Sequence, residues 1–355
     1  MSIVAIARSE IRALKPYSSA RMEARGGAVM LNANESPLPA SAHDTHALNR
    51  YPEPQPAALL ENLAALYGVR SEQVLVGRGS DEAIDLLVRA FCRAGHDAIA
   101  ICPPTFGMYA VSARIQDAQI IEVALTQDFA VDVDALLAAV TADTKLVFLC
   151  TPNNPIGSTI ALTDIEALAR NLAGRALLVV DEAYLDFASL PSAATLLERC
   201  DNIAVLRTLS KAHALAAARI GALIAAPEVI ALLRRIQAPY PLAAPCIDAA
   251  LAVLTPDALQ ETAVRVADVV RERERLAPLL RRLPQVRDVF ASAANFLCVR
   301  FADAATVYQQ LLHSGVVVRD VSYQAGLAQC LRITLGTPQE NARVLDVLGA
   351  REAAA

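Results

Sequence analysis

Short apolar runs alternate with helix-like segments through the first two thirds of the chain. In the runs, apolar residues follow one another without a break, as in KLVFLC at 145–150, whereas between the runs they recur every three or four positions. Such alternation is typical of a mostly parallel sheet flanked by helices, an α/β fold. The predicted strands of this sheet are residues 73–77, 97–102, 145–150, 176–181, 203–208 and 221–226.

A change of pattern near residue 240 predicts a second domain. The proline-rich segment APYPLAAP at 238–245 is followed by a long charged helical pattern and then by a second group of apolar runs. We therefore expect an N-terminal arm at 1–40 that belongs to the small domain, a large domain at 41–245 and a small α+β domain at 246–355. The predicted strands of the small domain are residues 295–301, 315–320 and 330–336.

Composition and charge exclude several classes of partner. The 355 residues are 55% hydrophobic and 19% charged, with a formal net charge of −5 and no basic run, so nucleic acid is not an expected partner. The apolar stretches are short or interrupted, and the N-terminal residues mix Arg, Glu and Lys among apolar ones, so we expect neither a membrane span nor a signal peptide. The seven cysteines are scattered without metal-type spacing. We expect a cytoplasmic protein with reduced thiols and no metal.

Polar side chains follow the carboxyl ends of several predicted strands. Ligands of open α/β sheets bind beyond these ends, so the residues there are expected to converge. The loop after 73–77 reads RGSDE and opens a helix, whose free backbone N–H groups form an anion site. Together the strand ends would supply a phosphate cradle, an amide, a carboxylate, a phenol and an amine, a set suited to a cofactor. These residues are Gly79, Ser80, Asp81, Asn154, Asp181, Tyr184, Ser210, Lys211 and Arg219.

Each of these features also has a plain structural interpretation. The RGSDE loop does not match a dinucleotide or ATP loop, because Glu82 stands where a third glycine is required and no Walker lysine follows. Asp181 alone is compatible with a helix N-cap or a metal ligand, and Lys211 with a surface side chain. His213 is compatible with acid–base chemistry or with packing against the wall of the site, and it is left without a role.

Eight segments of the chain resemble the histidinol-phosphate aminotransferases, which are type I pyridoxal-phosphate enzymes. The resemblance covers nearly the whole chain. It departs from the usual family pattern KAFALAGLR at His213, Ala217 and Ala218. The matching segments are LNANESPLP (31–39), NRYPEPQP (49–56), VLVGRGSDEAIDLL (74–87), CPPTFGMY (102–109), TPNNPIG (151–157), VVDEAYLDF (179–187), LRTLSKAHALAAARIG (206–221) and CLRITLGT (330–337).

The resemblance implies pyridoxal 5′-phosphate as cofactor and a role for each residue around it. Lys211 would form the Schiff base, because the cofactor is held as an imine and lysine supplies the amine. Asp181 would pair with the pyridine nitrogen and keep the ring protonated. Tyr184 and Asn154 would hydrogen-bond the phenolic oxygen, and Tyr109 would stack on the ring face. The residues that would bind the phosphate are Ser210, Arg219, Gly79, Ser80 and Asp81.

The same resemblance implies a homodimer and a substrate site. Tyr51 would reach the phosphate bound in the neighbouring subunit, so one chain alone would be inactive. Arg332 alternates with Leu331 and Ile333 on its predicted strand and would be the main anion-binding residue, since its planar fork pairs with phosphate and carboxylate. Taken without the resemblance, Arg332 reads as an exposed, ion-paired strand residue. The supporting substrate contacts would be Tyr17, Asn34 and Arg319.

The implied reaction is ping-pong transamination in histidine biosynthesis. It would convert L-histidinol phosphate and 2-oxoglutarate to 3-(imidazol-4-yl)-2-oxopropyl phosphate and L-glutamate, with Lys211 as the base that moves the proton. An aromatic aminotransferase would keep the cofactor residues and differ in side-chain preference, and a threonine-phosphate-type decarboxylase would release carbon dioxide. A non-catalytic pyridoxal-phosphate-binding regulator is a further alternative, against which the complete set of Lys211, Asp181, Tyr184 and Arg332 argues.

Overall fold

A seven-stranded sheet forms the centre of the larger part of the molecule. The computed structural model describes residues 2–17, 29–41, 43 and 47–349. Within them, the strands of this sheet are β1 (Val74–Arg78), β2 (Ala98–Ile101), β3 (Gln119–Glu122), β4 (Thr144–Cys150), β5 (Leu177–Asp181), β6 (Ile203–Thr208) and β7 (Ile220–Ala225). Their order is β1-β7-β6-β5-β4-β2-β3, and only β7 runs antiparallel to its neighbours. The predicted α/β class with a mostly parallel sheet is confirmed.

Helices cover both faces of this sheet. The α-helices of the whole molecule, among the described residues, are α1 (Ser9–Ala13), α2 (Ala57–Tyr67), α3 (Ser80–Phe91), α4 (Met108–Ile115), α5 (Val133–Ala139), α6 (Leu162–Leu172), α7 (Pro227–Arg234), α8 (Ala244–Val253), α9 (Pro256–Arg281), α10 (Ala304–His313) and α11 (Pro338–Val347). Short 3-10 helices lie at Ile3–Ile6, Ser71–Gln73, Leu185–Phe187 and Ala193–Leu196. On one face α3 and α7 bury Phe91 and Leu233, and on the other α6 buries Leu168 and Leu172. The strands are therefore buried on both sides, which explains their continuous apolar runs.

A second, antiparallel sheet is formed by C-terminal residues. Its strands are β8 (Val286–Val289), β9 (Phe296–Phe301), β10 (Arg319–Asp320) and β11 (Cys330–Thr334), in the order β10-β11-β9-β8. Helices α9, α10 and α11 share an apolar core with this sheet and bury Leu280, Leu311 and Leu345 in it. This part is the smaller α+β unit that the sequence predicts.

The sequence pattern did not predict two edge strands, and one strand that it did predict is shorter than expected. The missed strands are β3, which reads QIIE with both ends exposed, and β8, which reads VRDV with two exposed residues. Edge strands face solvent along one side and carry charged residues, so their apolar signal is weak. Of the predicted strand 315–320, only Arg319–Asp320 pairs in the sheet.

The chain remains packed on the larger sheet beyond residue 245. Helix α8 and its C-cap residue place Ile247, Ala250 and Leu254 in an apolar core that also contains residues of α2 and β1. Helix α9 follows, and its residues Leu276 and Leu280 join the core of the second sheet. We therefore propose that the change between the domains falls within α9, later than the proline-rich segment. In the part of the chain that the structure describes, no helix is both long and apolar enough to cross a membrane.

Candidate active site

The carboxyl ends of β4, β5 and β6 meet beside the start of α3 and border a cavity of about 120 Å³. Neighbouring parallel strands end at the same edge of a sheet, so residues far apart in sequence come together there. The predicted residues that line the cavity are Ser80, Asp81, Asn154, Asp181, Tyr184, Ser210, Lys211 and Arg219. The other lining residues are Phe106, Cys150, Ala183, Thr208 and Ala216.

Asp181 is the last residue of β5 and is almost fully buried, with 2% of its surface exposed. Its Oδ1 accepts a hydrogen bond from the Ala183 N–H at 3.1 Å, and its Oδ2 accepts one from the Tyr109 hydroxyl at 2.7 Å. Burial raises the pKa of Asp181 to about 6, although the Tyr109 hydrogen bond acts in the opposite direction. A cation bound in the cavity would restore the ionised form. The carboxyl group is therefore suited to pair with a protonated ring nitrogen.

Tyr109 does not line the cavity, so the expected stacking on the cofactor ring does not fit its position. It lies on α4, is fully buried, and stacks on Phe148 with ring centroids 4.8 Å apart. The aromatic side chain that lines the cavity is Phe106. Phe106 precedes the first residue of α4, in the loop after β2, whereas Tyr109 lies in the first helical turn and faces the core. Phe106 is therefore better placed than Tyr109 to contact a ring in the cavity.

Asn154, Tyr184 and Arg332 form a chain of hydrogen bonds along one wall of the site. Asn154 Nδ2 donates to the Tyr184 hydroxyl oxygen at 3.1 Å, and Arg332 Nη1 donates to Asn154 Oδ1. Arg332 lies on β11, so this chain connects the two sheets. Its Nε is buried and has no hydrogen-bond partner among the described residues. Arg332 therefore retains donor capacity for an anion, and the exposed ion-pair alternative does not describe it.

Lys211 follows β6 and lines the same cavity. Its Nζ lies 5.7 Å from the centroid of the Tyr184 ring. Desolvation lowers the pKa of Lys211, and the positive charges of Arg332 and Arg219 lower it further. A lysine whose neutral form is favoured is suited to act as a nucleophile or a base.

The loop between β1 and α3 forms an anion cradle. Gly79 caps α3 with φ 81°, in the left-handed region that favours glycine. Gly221 on β7 lies so close that a Cβ there would stand 2.4 Å from the Gly79 carbonyl carbon. Arg219 borders the loop, and its Nη2 donates to Asp81 Oδ2 at 3.1 Å. Backbone N–H groups at a helix N-terminus, hydroxyl groups and a guanidinium are the donors that phosphate prefers. The side-chain donors here belong to Ser80, Thr208, Ser210 and Arg219.

Besides Gly79, Tyr109 and Arg332, which are described above, four predicted site residues lie outside the cavity lining. Tyr51 is half-exposed and stacks on Tyr240, with ring centroids 4.3 Å apart and 12° between the ring planes. Tyr17 and Asn34 are exposed, and Arg319 is exposed on β10, the strand beside β11. Residues 18–28 of the predicted N-terminal arm lie outside the described residues. The roles expected for these four side chains remain predictions that involve substrate or a second subunit.

His213 lies in a different and larger cavity of about 580 Å³. The walls of this cavity are formed mainly by α9 and by residues 186–189, and none of the predicted cofactor residues lines it. His213 is buried, its Nδ1 has no hydrogen-bond partner among the described residues, and burial lowers its pKa. Because the converging strand ends are at the smaller cavity, we place the chemistry there and not beside His213.

Sequence reasoning missed five residues that line the cavity, namely Ala183, Ala216 and the three larger side chains of Phe106, Cys150 and Thr208. Thr208 and Cys150 are the last residues of β6 and β4, and Phe106 precedes a helix that follows β2. Thr208 Oγ1 donates to Ser210 Oγ at 2.9 Å and accepts from the Ser210 N–H at 3.1 Å. Position was the signal for Thr208 and Cys150, because both stand at the carboxyl end of a parallel strand, whereas Phe106 lies farther along, in the loop after β2.

Residues 26–348 match the family model of aminotransferase class I and II. The chain belongs to this family. The histidinol-phosphate aminotransferase of Stenotrophomonas maltophilia (strain R551-3) is 57% identical over 357 residues, which cover 99% of this chain and 98% of that protein. The resemblance seen in the eight sequence segments is therefore confirmed.

Solved structures share the fold. The crystal structure of histidinol-phosphate aminotransferase from Sinorhizobium meliloti in complex with pyridoxal-5′-phosphate has a TM-score of 0.76 at 26% identity, covering 85% of this chain and 83% of that one. The L-threonine-O-3-phosphate decarboxylase of Porphyromonas gingivalis has a TM-score of 0.74 at 23% identity, covering 85% and 90%. The fold alone therefore does not distinguish transamination from decarboxylation.

The residues of the cavity fit pyridoxal 5′-phosphate. An amine, a buried carboxyl group and an anion cradle stand around one space, and Phe106 provides an apolar face. The backbone of the cradle is closely packed, since a Cβ at Gly221 would stand 2.5 Å from the Ser80 nitrogen. The amine therefore matches the aldehyde of this cofactor, the carboxyl group matches its ring nitrogen, and the anion cradle matches its phosphate.

Proposed function

We propose that this protein uses pyridoxal 5′-phosphate to transfer the amino group of L-histidinol phosphate to 2-oxoglutarate. The products are 3-(imidazol-4-yl)-2-oxopropyl phosphate and L-glutamate, and the reaction belongs to histidine biosynthesis. The observation that carries the proposal is the convergence of Lys211, Asp181 and Tyr184 on one cavity, in a chain 57% identical to the Stenotrophomonas enzyme over nearly its full length.

Each predicted side chain of the cavity has a definable task in this reaction. The cofactor, when bound, withdraws electrons from the substrate carbon and so makes its proton removable. Lys211 Nζ would hold the cofactor covalently until the substrate amine replaces it. Asp181 would keep the ring nitrogen protonated, and Tyr184 and Asn154 would hydrogen-bond the phenolic oxygen. The cradle of Gly79, Ser80, Asp81, Ser210 and Arg219 would bind the phosphate.

Lys211 is also the proposed general base. After its release, Nζ would take the proton from the substrate carbon and deliver it to the carbon on the other side of the shared nitrogen, which belongs to the cofactor. Its lowered pKa favours the neutral amine that this step requires. Because an oxo acid then runs the same steps in reverse, the kinetics would be ping-pong.

Substrate recognition would depend on Arg332. Histidinol phosphate and glutamate present different anions, a phosphate and a carboxylate, and a guanidinium fork pairs with both. The buried Nε of Arg332, which has no partner in the described part of the chain, supports this role. Arg319 on the adjacent strand, Asn34 and Tyr17 would add contacts once substrate is bound.

The proposed assembly is a cytoplasmic homodimer with active sites at the interface. Tyr51 would contribute its hydroxyl to the phosphate site of the partner subunit. Its side chain is half-exposed and its ring stacks on Tyr240, which suits a residue that extends from the surface of one subunit to another.

The first test is a single half-reaction. L-Histidinol phosphate alone is added to the purified holoprotein, and the visible absorption band of the bound cofactor is followed. Loss of the yellow band without any oxo acid, with release of the ketone product, is the expected result. Equal turnover of L-phenylalanine would favour an aromatic aminotransferase, and release of carbon dioxide from threonine phosphate would favour a decarboxylase. A protein that takes up no cofactor would contradict the whole proposal.

A further inference from the structure

The hydroxyl of Tyr109 contacts Asp181 from outside the cavity lining. Tyr109 is fully buried, is absent from the cavity lining, and donates to Asp181 Oδ2 at 2.7 Å. The other oxygen, Oδ1, accepts from the Ala183 N–H at 3.1 Å. Both carboxylate oxygens are therefore held by donors from the protein, and each keeps a further lone pair for a ligand.

The ring of Tyr109 is itself fixed on two sides. Phe148 on β4 stacks on it, with centroids 4.8 Å apart and 15° between the ring planes. Phe106 contacts it edge to face, with centroids 5.6 Å apart. Aromatic contacts of these kinds fix the orientation of a ring, so the hydroxyl has a defined position before any ligand binds.

The hydrogen bond opposes the effect of burial on Asp181. Burial favours the neutral acid, whereas a hydroxyl that donates to the carboxylate favours the charged form. The neutral acid would also offer its proton to the cavity and would leave a ring nitrogen without a counter-charge. A hydrogen-bond donor outside the cavity, here the Tyr109 hydroxyl, stabilises the carboxylate and so preserves the counter-charge for the ring nitrogen.

We propose that Tyr109 is a positioning residue, which holds Asp181 ionised and oriented toward the pyridine nitrogen of pyridoxal 5′-phosphate. This inference rests on the proposed function, because it assumes the cofactor. It replaces the stacking role that the sequence suggested for the same residue.

The test compares two ligands on the cofactor-free protein. Dissociation constants are measured for pyridoxal 5′-phosphate and for its 1-deaza analogue, in which a CH group replaces the ring nitrogen. Tyr109→Phe should bind pyridoxal 5′-phosphate about tenfold more weakly than the wild type, as expected for loss of a hydrogen bond to a charged group. It should bind the analogue as the wild type does. Equal weakening of both ligands, or no weakening of either, would overturn the proposal.

A matched control and a second readout separate this role from a general loss of stability. Tyr67→Phe also removes a tyrosine hydroxyl, beside Arg207 and away from the cavity, and should leave both dissociation constants unchanged. In the cofactor-free protein, the Asp181 carboxyl followed by carbon-13 NMR should titrate at higher pH in Tyr109→Phe than in the wild type. An unchanged titration would also overturn the proposal. A wild type that binds neither ligand would contradict the proposed function instead, and the carboxyl titration would still test the link between Tyr109 and Asp181.

Discussion

Arg332 on β11 donates a hydrogen bond to Asn154, which follows β4, and this contact joins the second sheet to the cavity of the first. Asn154 in turn donates to the Tyr184 hydroxyl. An anion that binds Arg332 would compete with Asn154 for the guanidinium group or would change the orientation of that group. In the proposed function, substrate binding and the hydrogen bonds around the cofactor would therefore be connected through the Arg332 side chain.

Replacing Arg332 should weaken both substrates. Arg332→Ala removes a partly buried guanidinium, and we expect kcat/KM for histidinol phosphate and for glutamate each to fall by the equivalent of roughly 2 to 4 kcal/mol. Steady-state kinetics of each half-reaction provides the measurement. Arg300→Ala is the matched control, since Arg300 lies on the adjacent β9 and donates to the Gly326 carbonyl. If the substitution lowered only the thermal stability and left both kcat/KM values unchanged, Arg332 would have a structural role instead.

Replacing Lys211 should abolish transamination without unfolding the protein. Lys211→Ala removes the amine that holds the cofactor and moves the proton, so we expect at least about a 10³-fold loss of turnover. Lys211→Arg should be as inactive, because it keeps the charge but not a nucleophilic amine. Circular dichroism reports the fold, and Lys145→Ala on β4, which lies outside the cavity, provides the control. Normal turnover in either Lys211 variant would exclude this assignment.

The cofactor-free protein should carry a stability cost at Asp181. The folded pKa of about 6 lies above the ordinary value of 3.8, so between these values the folded state binds more protons than the unfolded state. Stability contributed by this group is then present at low pH and is lost as pH rises through about 6. Asp181→Asn should gain about 2 to 3 kcal/mol relative to the wild type between pH 4 and pH 8. Urea unfolding of both proteins across this range provides the measurement, and a difference that does not change with pH would contradict the argument.

The anion cradle should be intolerant of a single methyl group. Gly221→Ala would place a Cβ within 2.5 Å of the Ser80 nitrogen, so the backbone of the cradle must shift. Overpacking of this kind costs about 1 to 3 kcal/mol, which predicts roughly ten- to hundredfold weaker binding of pyridoxal 5′-phosphate. Gly107→Ala serves as the control, because a Cβ there meets no atom within 4 Å. Equal affinities of the two variants, measured by equilibrium binding, would argue against this site for the phosphate.

Mixing two inactive proteins tests whether Tyr51 acts across a subunit interface. In a heterodimer of Lys211→Ala and Tyr51→Ala chains, one site would carry both changes and the other would carry neither. Subunit exchange should therefore restore up to about a quarter of wild-type activity, since half of the dimers would contain one intact site. If Tyr51 acted within its own chain, every site would stay defective and mixing would restore nothing.

Several elements of the site were accessible from local pattern. Asp181 and Thr208 end strands whose apolar runs are continuous, and Lys211 follows such a strand, because strands buried on both faces have no other sequence signature. Tyr109 and Phe106 show what the local pattern does not determine. Both are aromatic and three positions apart, and only the start of α4 at Met108 decides which ring reaches the cavity.

The sequence by itself determined the α/β class, the buried strands, the family resemblance and the residues at the strand ends, since each of these depends on short-range pattern. Only the tertiary structure decided that Arg332 contacts Asn154 and that Tyr109 holds Asp181. These contacts join residues 178 and 72 positions apart, and they depend on how sheets and helices pack. Packing is a property of the whole chain, and no local periodicity records it.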